Sequence, residues 1–248
     1  MNRIERGMIL AAGLGLRMRP LTDDRPKALV ALHGQTLLDR ALDKLRAAGL
    51  SRIVVNAHYR AEMIRAHLAG APDIEVSDER DGLLDTGGGV RKALPSFGAS
   101  PFFVANCDSV WLDGAIPALR RLERNWRCDA MDALLMLHPV ERAKGYAGPG
   151  DFALDPEGRV VRRPRGGTAP FVFTGVQILH PRLFAACPGG AFSLNLLYDE
   201  AAARGCLFGL VHDGAWFHVG TPADLAATEA LLSEGAVAAR RSPGIPTR

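Results

Sequence analysis

Residues 7–12, GMILAA, form an unbroken apolar run that ends on Gly13. A strand with one wet face alternates apolar and polar residues, whereas a continuous run reads as a strand covered on both faces. Such a strand needs helices above and below it, and the next segments supply them. Thr36 caps a helix in which Asp39 follows three residues later and Leu37, Leu38, Ala41, Leu42 and Leu45 recur at helical spacing, until Gly49 stops it. A second short run, RIVVN at 52–56, precedes a helical pattern from Arg60 to Leu68. Residues 74–77 and 101–105 read as further strands, with a helix after Gly114. This alternation predicts a parallel, doubly wound sheet.

The second half is richer in strands. Residues 132–138, 151–155 and 159–162 have strand character, the last two joined by the turn sequence Asp155-Pro156-Glu157-Gly158. FVFTGVQIL, 171–179, is another strand; helices are expected over Leu194–Arg204 and from Pro222 to about Leu232. No repeat or linker interrupts the chain. The expectation is one α/β domain over residues 1–232, a Rossmann-like three-layer α/β/α sandwich with a mostly parallel central sheet, and a poorly ordered tail over 233–248.

Of 30 basic residues only Lys27, Lys44, Lys92 and Lys144 are lysines, leaving 26 arginines, but the net charge is only +3. Acidic residues are interspersed with the arginines, and the short basic run Arg162, Arg163, Arg165 carries no interleaved aromatics. A nucleic-acid partner is not expected. Cys107, Cys128, Cys187 and Cys206 show no metal-ligand or disulfide spacing and read as reduced thiols. The apolar run near the N-terminus is too short for a signal peptide, and nothing approaches the roughly 18 apolar residues of a membrane span. A cytoplasmic protein without a membrane partner is expected.

The segment after the first run carries the chemistry: Ala11-Ala12-Gly13-Leu14-Gly15-Leu16-Arg17-Met18-Arg19-Pro20-Leu21-Thr22, then Pro26-Lys27. Glycines after a buried strand let backbone amides approach an anion that Arg and Lys can neutralise, although many such turns merely end a strand. A dinucleotide fingerprint needs a third glycine where Met18 stands and an immediate helix, in which Pro20 would cost about 3 kcal/mol. A P-loop needs a Gly-Lys-Ser/Thr that is missing here. What remains is a long loop suited to a triphosphate.

The pattern A-A-G-x-G-x-R-M-x-P-L-T…P-K resembles the nucleotidyltransferases that act on sugar 1-phosphates. The resemblance spans residues 7 to about 232 and implies a GT-A-like fold. It implies that Ala12, Gly13, Leu14, Gly15 and Leu16 wrap the nucleoside triphosphate, with Arg17 and Lys27 on its phosphates. Leu-Leu-Asp-Thr-Gly-Gly-Gly at 83–89 matches the family's base-binding stretch and implies contacts from Gly87 and Gly88; a tight strand-to-helix turn would also explain the glycines. This version of the stretch is most like uridylyltransferases of the N-acetylmuramate 1-phosphate type, an activity of cell-wall sugar recycling.

Phe102–Asp108 is an apolar run ending in Asn106-Cys107-Asp108, similar to the family's Asn-Gly-Asp. A carboxylate at such a strand end sits where open sheets bind ligands and suits Mg²⁺, though it could instead cap the next helix. The resemblance implies metal binding by Asp108 and sugar-phosphate contact by Asn106, and it implies sugar contacts from Asp151, Thr174 and Gly175. Asp151 could equally open a hairpin strand. Trp216-Phe217-His218-Val219-Gly220-Thr221 departs from the pattern, because His218 stands where the family has an Asp or Asn. Imidazole suits Mn²⁺ better than Mg²⁺. His218 therefore leaves open Mg²⁺ on Asp108 alone, a softer ion, weakened activity, or a mere hydrogen bond.

The implied reaction is NTP plus sugar 1-phosphate to NDP-sugar plus pyrophosphate. UTP with N-acetylmuramate 1-phosphate is the expected pair. GTP with mannose 1-phosphate, a CTP-dependent reaction, and a weakly catalytic nucleotide-sugar-binding regulator are the alternatives. Oligomeric state is not legible.

Overall fold

A computed structural model describes residues 3–241. In chain order its elements are β1 (Arg6–Leu10), β2 (Ala31–Leu32), β3 (Gln35–Thr36), α1 (Leu37–Ala47), β4 (Arg52–Ala57), α2 (Ala61–His67), β5 (Ile74–Asp78) and α3 (Asp85–Ala93). Then follow β6 (Phe102–Asn106), β7 (Ser109–Trp111), α4 (Ala118–Asn125), β8 (Ala133–Pro139), β9 (Phe152–Leu154), β10 (Val160–Arg162) and β11 (Phe171–Leu179). The last are α5 (Leu194–Ala203), β12 (Leu207–Val211), β13 (Trp216–His218) and α6 (Pro222–Arg241).

The main sheet runs β5-β4-β1-β6-β11-β8-β12, and β9 and β10 extend it from the start of β11. Along that row only β11 is reversed; β1, β4, β5 and β6 are mutually parallel, and β8 and β12 run with them. The sheet is thus mostly parallel, as expected.

Consecutive strand residues feed opposite cores. Ile9, Ile53, Val55, Phe103 and Ala105 meet Leu38, Leu42 and Leu45 of α1, Ile64 of α2 and Leu119 and Leu122 of α4. Met8, Val54 and Val104 meet Val90 and Ala93 of α3 and Leu194, Leu197 and Ala201 of α5. Period-2 alternation of wholly apolar side chains therefore makes the three layers. A third cluster, Met18, Val30, Leu37, Phe217, Val219 and Leu225, clamps the loop after β1 beneath β13 and α6.

Local signals act as expected where they are strong. Thr36 Oγ1 accepts from the Asp39 amide at 3.0 Å, and Gly49 takes the left-handed φ of 86° that ends α1. The final helix differs from expectation, running to Arg241 rather than stopping near Leu232. The remainder of the expected tail, 242–248, lies outside the described residues. Among the described residues no helix is long and apolar enough to cross a membrane.

The three glycines of 87–89 lie inside α3, not before it. Added Cβ atoms would meet the Phe192 ring at 2.4 Å from Gly87, the Gly190 carbonyl oxygen at 2.4 Å from Gly88 and Glu79 Oε1 at 2.8 Å from Gly89. The Phe192 carbonyl also accepts both the Gly87 and Gly88 amides, at 2.8 and 3.1 Å. The close approach these glycines allow is made by the chain itself. Gly88→Ala should therefore destabilise the fold by about 1–3 kcal/mol, because backbone must move. Thermal unfolding checks this; a melting temperature within about 1 °C of wild type would show that the 190–192 segment yields freely.

Candidate active site

Parallel pairing sets Leu10 beside Asn56 on one side and Asn106 on the other, so three strand ends open on one edge. A cleft of about 370 Å³ lies there, walled by Ala11, Ala12 and Gly13, by Lys27, by Leu83, Asp85 and Thr86, and by Asn106, Cys107 and Asp108. A larger hollow of about 570 Å³ lies elsewhere, lined by Arg3, Arg6 and Trp126 among others. It contains none of the expected site residues. The cleft at the strand ends is the functional candidate, since open α/β sheets bind ligands there.

The loop after β1 forms no long helix. It makes one short turn at 16–18, anchored by fully buried Met18, while Gly15 adopts φ 66°. Thr22 Oγ1 donates to the Gly15 carbonyl at 2.8 Å, and a Cβ on Gly15 would sit 3.2 Å from Cβ of Lys27. Gly15 thus lets the loop fold back until Lys27 enters the cleft. A Cβ on Gly13 would meet nothing within 4 Å, leaving that backbone open. Leu14 and Leu16 are exposed on the outer side of the loop and do not wall the cleft. Arg17 is also exposed and outside the wall, but its charge reaches His218.

Lys27 Nζ donates to Asp108 Oδ2 at 2.6 Å, with side chains only 12% and 25% exposed. The carboxylate expected to face a cation therefore already has one. Pairing of β13 with β7 sets His218 opposite Ser109, near enough to feel the charges of Asp108 and Lys27 though outside the cleft wall. Burial pushes its imidazole below the ordinary histidine range, opposed by the Asp108 charge, so the ring is neutral at pH 7. A Cβ on Gly220 would be 2.5 Å from His218 Nε2 and 3.3 Å from Asp224 Oδ2, which shows how tightly the ring is seated. Burial pushes the neighbouring Cys107 thiol up to about 12, so it is no thiolate nucleophile.

A register shift in β11 between Phe173 and Gln177 lies beside Asn106. Gly175 has φ 83° there, and a Cβ on it would lie 2.7 Å from Asn106 Nδ2. Two residues read as sugar-contacting, Asn106 and Gly175, are thereby brought together. Thr174 is different: it is 1% exposed and its hydroxyl donates to the Met136 carbonyl at 2.8 Å, so the side chain braces the shift. Its carbonyl accepts from the Ser109 hydroxyl and from Trp216 Nε1, tying β7, β11 and β13 together. Asp151 Oδ2 accepts the Phe173 amide at 2.9 Å, and its side chain too supports β11. Gly87 and Gly88 are buried against 190–192; the wall on that side belongs to Leu83, Asp85 and Thr86.

Asn56 was not singled out from the sequence. It ends the run RIVVN with an amide, much as Asn106 ends the run at 102–106, and that parallel was the available signal.

Comparison with known proteins gives the family. Residues 7–182 match the family described as MobA-like NTP transferase domain. The N-acetylmuramate alpha-1-phosphate uridylyltransferase of Caulobacter vibrioides is 45% identical over 233 residues, covering 92% of this chain and 96% of the relative. Its counterpart in Neisseria meningitidis is 32% identical over 231 residues, covering 91% and 97%. Among solved structures, HddC from Yersinia pseudotuberculosis complexed with GMP-PN superposes with a TM-score of 0.73 at 24% identity, over 92% of this chain and 100% of that one, a likeness of fold. The chain belongs to the MobA-like NTP transferase family and, within it, to the sugar-1-phosphate nucleotidyltransferases.

Proposed function

We propose that this protein transfers a uridylyl group from UTP to N-acetylmuramate 1-phosphate, giving UDP-N-acetylmuramate and pyrophosphate. The observation that carries the reading is coverage. Two relatives bearing that activity in their names align over more than nine-tenths of both chains, with identities of 45% and 32%.

In this reaction an oxygen of the sugar 1-phosphate attacks the α-phosphorus of UTP. A new P–O bond forms as the α–β bridging P–O bond breaks, and pyrophosphate leaves. The nucleophile is already an anion, so no side chain must take its proton. The difficulty is joining two polyanions, which positioning and charge neutralisation overcome. Amides of the 13–15 turn and the Arg17 guanidinium bind the β- and γ-phosphates. Lys27 turns from Asp108 toward the α-phosphate. Asn106, held against Gly175, orients the sugar phosphate.

Asp108 and His218 would suit a divalent ion, a hard carboxylate oxygen within electrostatic range of a neutral imidazole. Among the described residues no three His, Cys, Asp or Glu side chains converge to hold a metal. Mg²⁺, or Mn²⁺, would therefore share its coordination with phosphate oxygens and water. Bound there, such an ion neutralises charge on the reacting phosphates.

Pyrophosphate release by purified protein tests the proposal directly. UTP with N-acetylmuramate 1-phosphate should outpace GTP with mannose 1-phosphate, UTP with glucose 1-phosphate and every CTP or dTTP pair; an equal or faster rate with another pair defeats it. Asp108→Asn should lower kcat by roughly 10²–10³-fold, the range for removing one transition-state-stabilising group. Its melting temperature should stay close to wild type. Lys27→Met should weaken UTP binding yet tighten Mn²⁺ binding to the nucleotide-free protein, because the ammonium that neutralises Asp108 is gone. Calorimetric titration reads both effects, and Mn²⁺ affinity that falls with UTP affinity would show that Lys27 does not compete for Asp108.

A further inference from the structure

Two buried polar side chains, Asn56 lining the cleft and Glu79 behind it, join its opposite walls. Asn56 and Glu79 are 2% and 1% exposed. The Ala11 amide donates to Asn56 Oδ1 at 2.7 Å, Asn56 Nδ2 donates to Glu79 Oε1 at 2.7 Å, and the Leu84 amide donates to Glu79 Oε2 at 3.4 Å. Ala11 begins the glycine-rich loop; Leu84 precedes the Asp85-Thr86 wall. Gly89 completes the seat, since a Cβ there would lie 2.8 Å from Glu79 Oε1 and 2.9 Å from Asn56 Nδ2.

The polarity of this chain of bonds is fixed from both ends. A backbone N–H can only donate, so Asn56 must turn its oxygen to Ala11 and its NH₂ to Glu79. A second N–H arrives from Leu84, so the side chain at 79 must accept on both oxygens. A carboxylate does so, whereas a primary amide carries one acceptor and one donor end. Glu79 does not line the cleft, and it reaches the site only through Asn56 and the two amides.

We propose that Glu79 and Asn56 are positioning residues for the nucleotide. By fixing the direction of the Ala11 amide they hold the glycine-rich loop in the shape that receives the triphosphate, and through Leu84 they set the spacing of the two walls. The proposal rests on the reading that this loop binds nucleoside triphosphate.

The test exploits polarity rather than deletion. Glu79→Gln places a donor against a donor whichever way the amide turns. Asn56→Asp sets an acceptor against Glu79. The double variant Asn56→Asp/Glu79→Gln restores every bond: Ala11 donates to Asp, the Gln NH₂ donates to Asp, and Leu84 donates to the Gln oxygen. Each single variant should bind UTP about tenfold or more weakly, the scale of one unpaired buried polar group, and show a raised KM with a smaller change in kcat. The double variant should return to within about threefold of wild type, a coupling that double-mutant cycles detect.

Hydrogen exchange at the Ala11 amide gives a readout that needs no nucleotide. It should be slow in wild type, fast in both single variants and slow again in the double. Defects that add in the double variant overturn the proposal. So does restored exchange with UTP affinity unchanged throughout, which would leave the pair purely structural. Wild-type protein that shows the expected exchange pattern but binds no nucleoside triphosphate overturns the reading of the loop, and the positioning role falls with it.

Discussion

Parallel hydrogen bonding of β1 with β4 on one side and β6 on the other aligns the ends of three strands on one edge of the sheet. The interior of those strands is apolar because helices cover both faces, so polar chemistry can begin only where the strands stop. It begins there abruptly: the glycine-rich loop after Leu10, Asn56 at the end of β4, Asn106 and Asp108 at the end of β6. The reversed strand β11 has no end to offer at that edge. It contributes instead through the shift at 174–176, where a left-handed glycine makes room for Asn106.

The glycines of this chain do two different jobs that look alike in sequence. Gly13 leaves open backbone facing a cleft, and Gly15 lets a loop double back onto Lys27. Gly87, Gly88 and Gly89 instead allow a helix to seat directly on protein: an aromatic ring, a backbone carbonyl and a buried polar pair. Entropy lost by three glycines in a helix is offset by this close contact rather than by helix propensity. The same residue type therefore shapes the cavity on one wall and fixes that wall's foundation on the other.

How much of this could be read in advance follows from the range of the forces involved. Strands β1, β4, β6 and β11 and helix α1 carry strong local signals, continuous apolar runs and a capped amphipathic stretch, and they stand where the sequence puts them. Strands β7, β12 and β13 are short, or are defined by partners more than twenty residues away, and local pattern does not reveal them. At the site, Lys27, Asn106 and Asp108 were legible because their motif is local and they meet in one cleft. Thr174 and Asp151 stand in two motif-bearing segments, yet their side chains turn to Met136 and Phe173, a choice made by strand pairing. Glu79 lay hidden among neighbouring charges in Ser77-Asp78-Glu79-Arg80-Asp81, since nothing in sequence separates the one buried carboxylate from the solvated ones.

A neutral imidazole at 218, where the family pattern has Asp or Asn, bears on the electrostatic balance of the cleft. Lys27 pairs with Asp108, Asp85 walls the opposite side, Arg17 stands exposed nearby and His218 is neutral, so the free site carries no excess of positive charge. A further carboxylate at 218 would have tipped the balance negative and favoured a resident cation. As found, Asp108 is held by Lys27, and a triphosphate that drew Lys27 away would expose the carboxylate oxygen that a divalent ion would need. Under the proposed reaction a divalent ion would then bind together with the nucleotide. The imidazole suits this order, because it would offer a nitrogen to such an ion without adding charge that repels the phosphates.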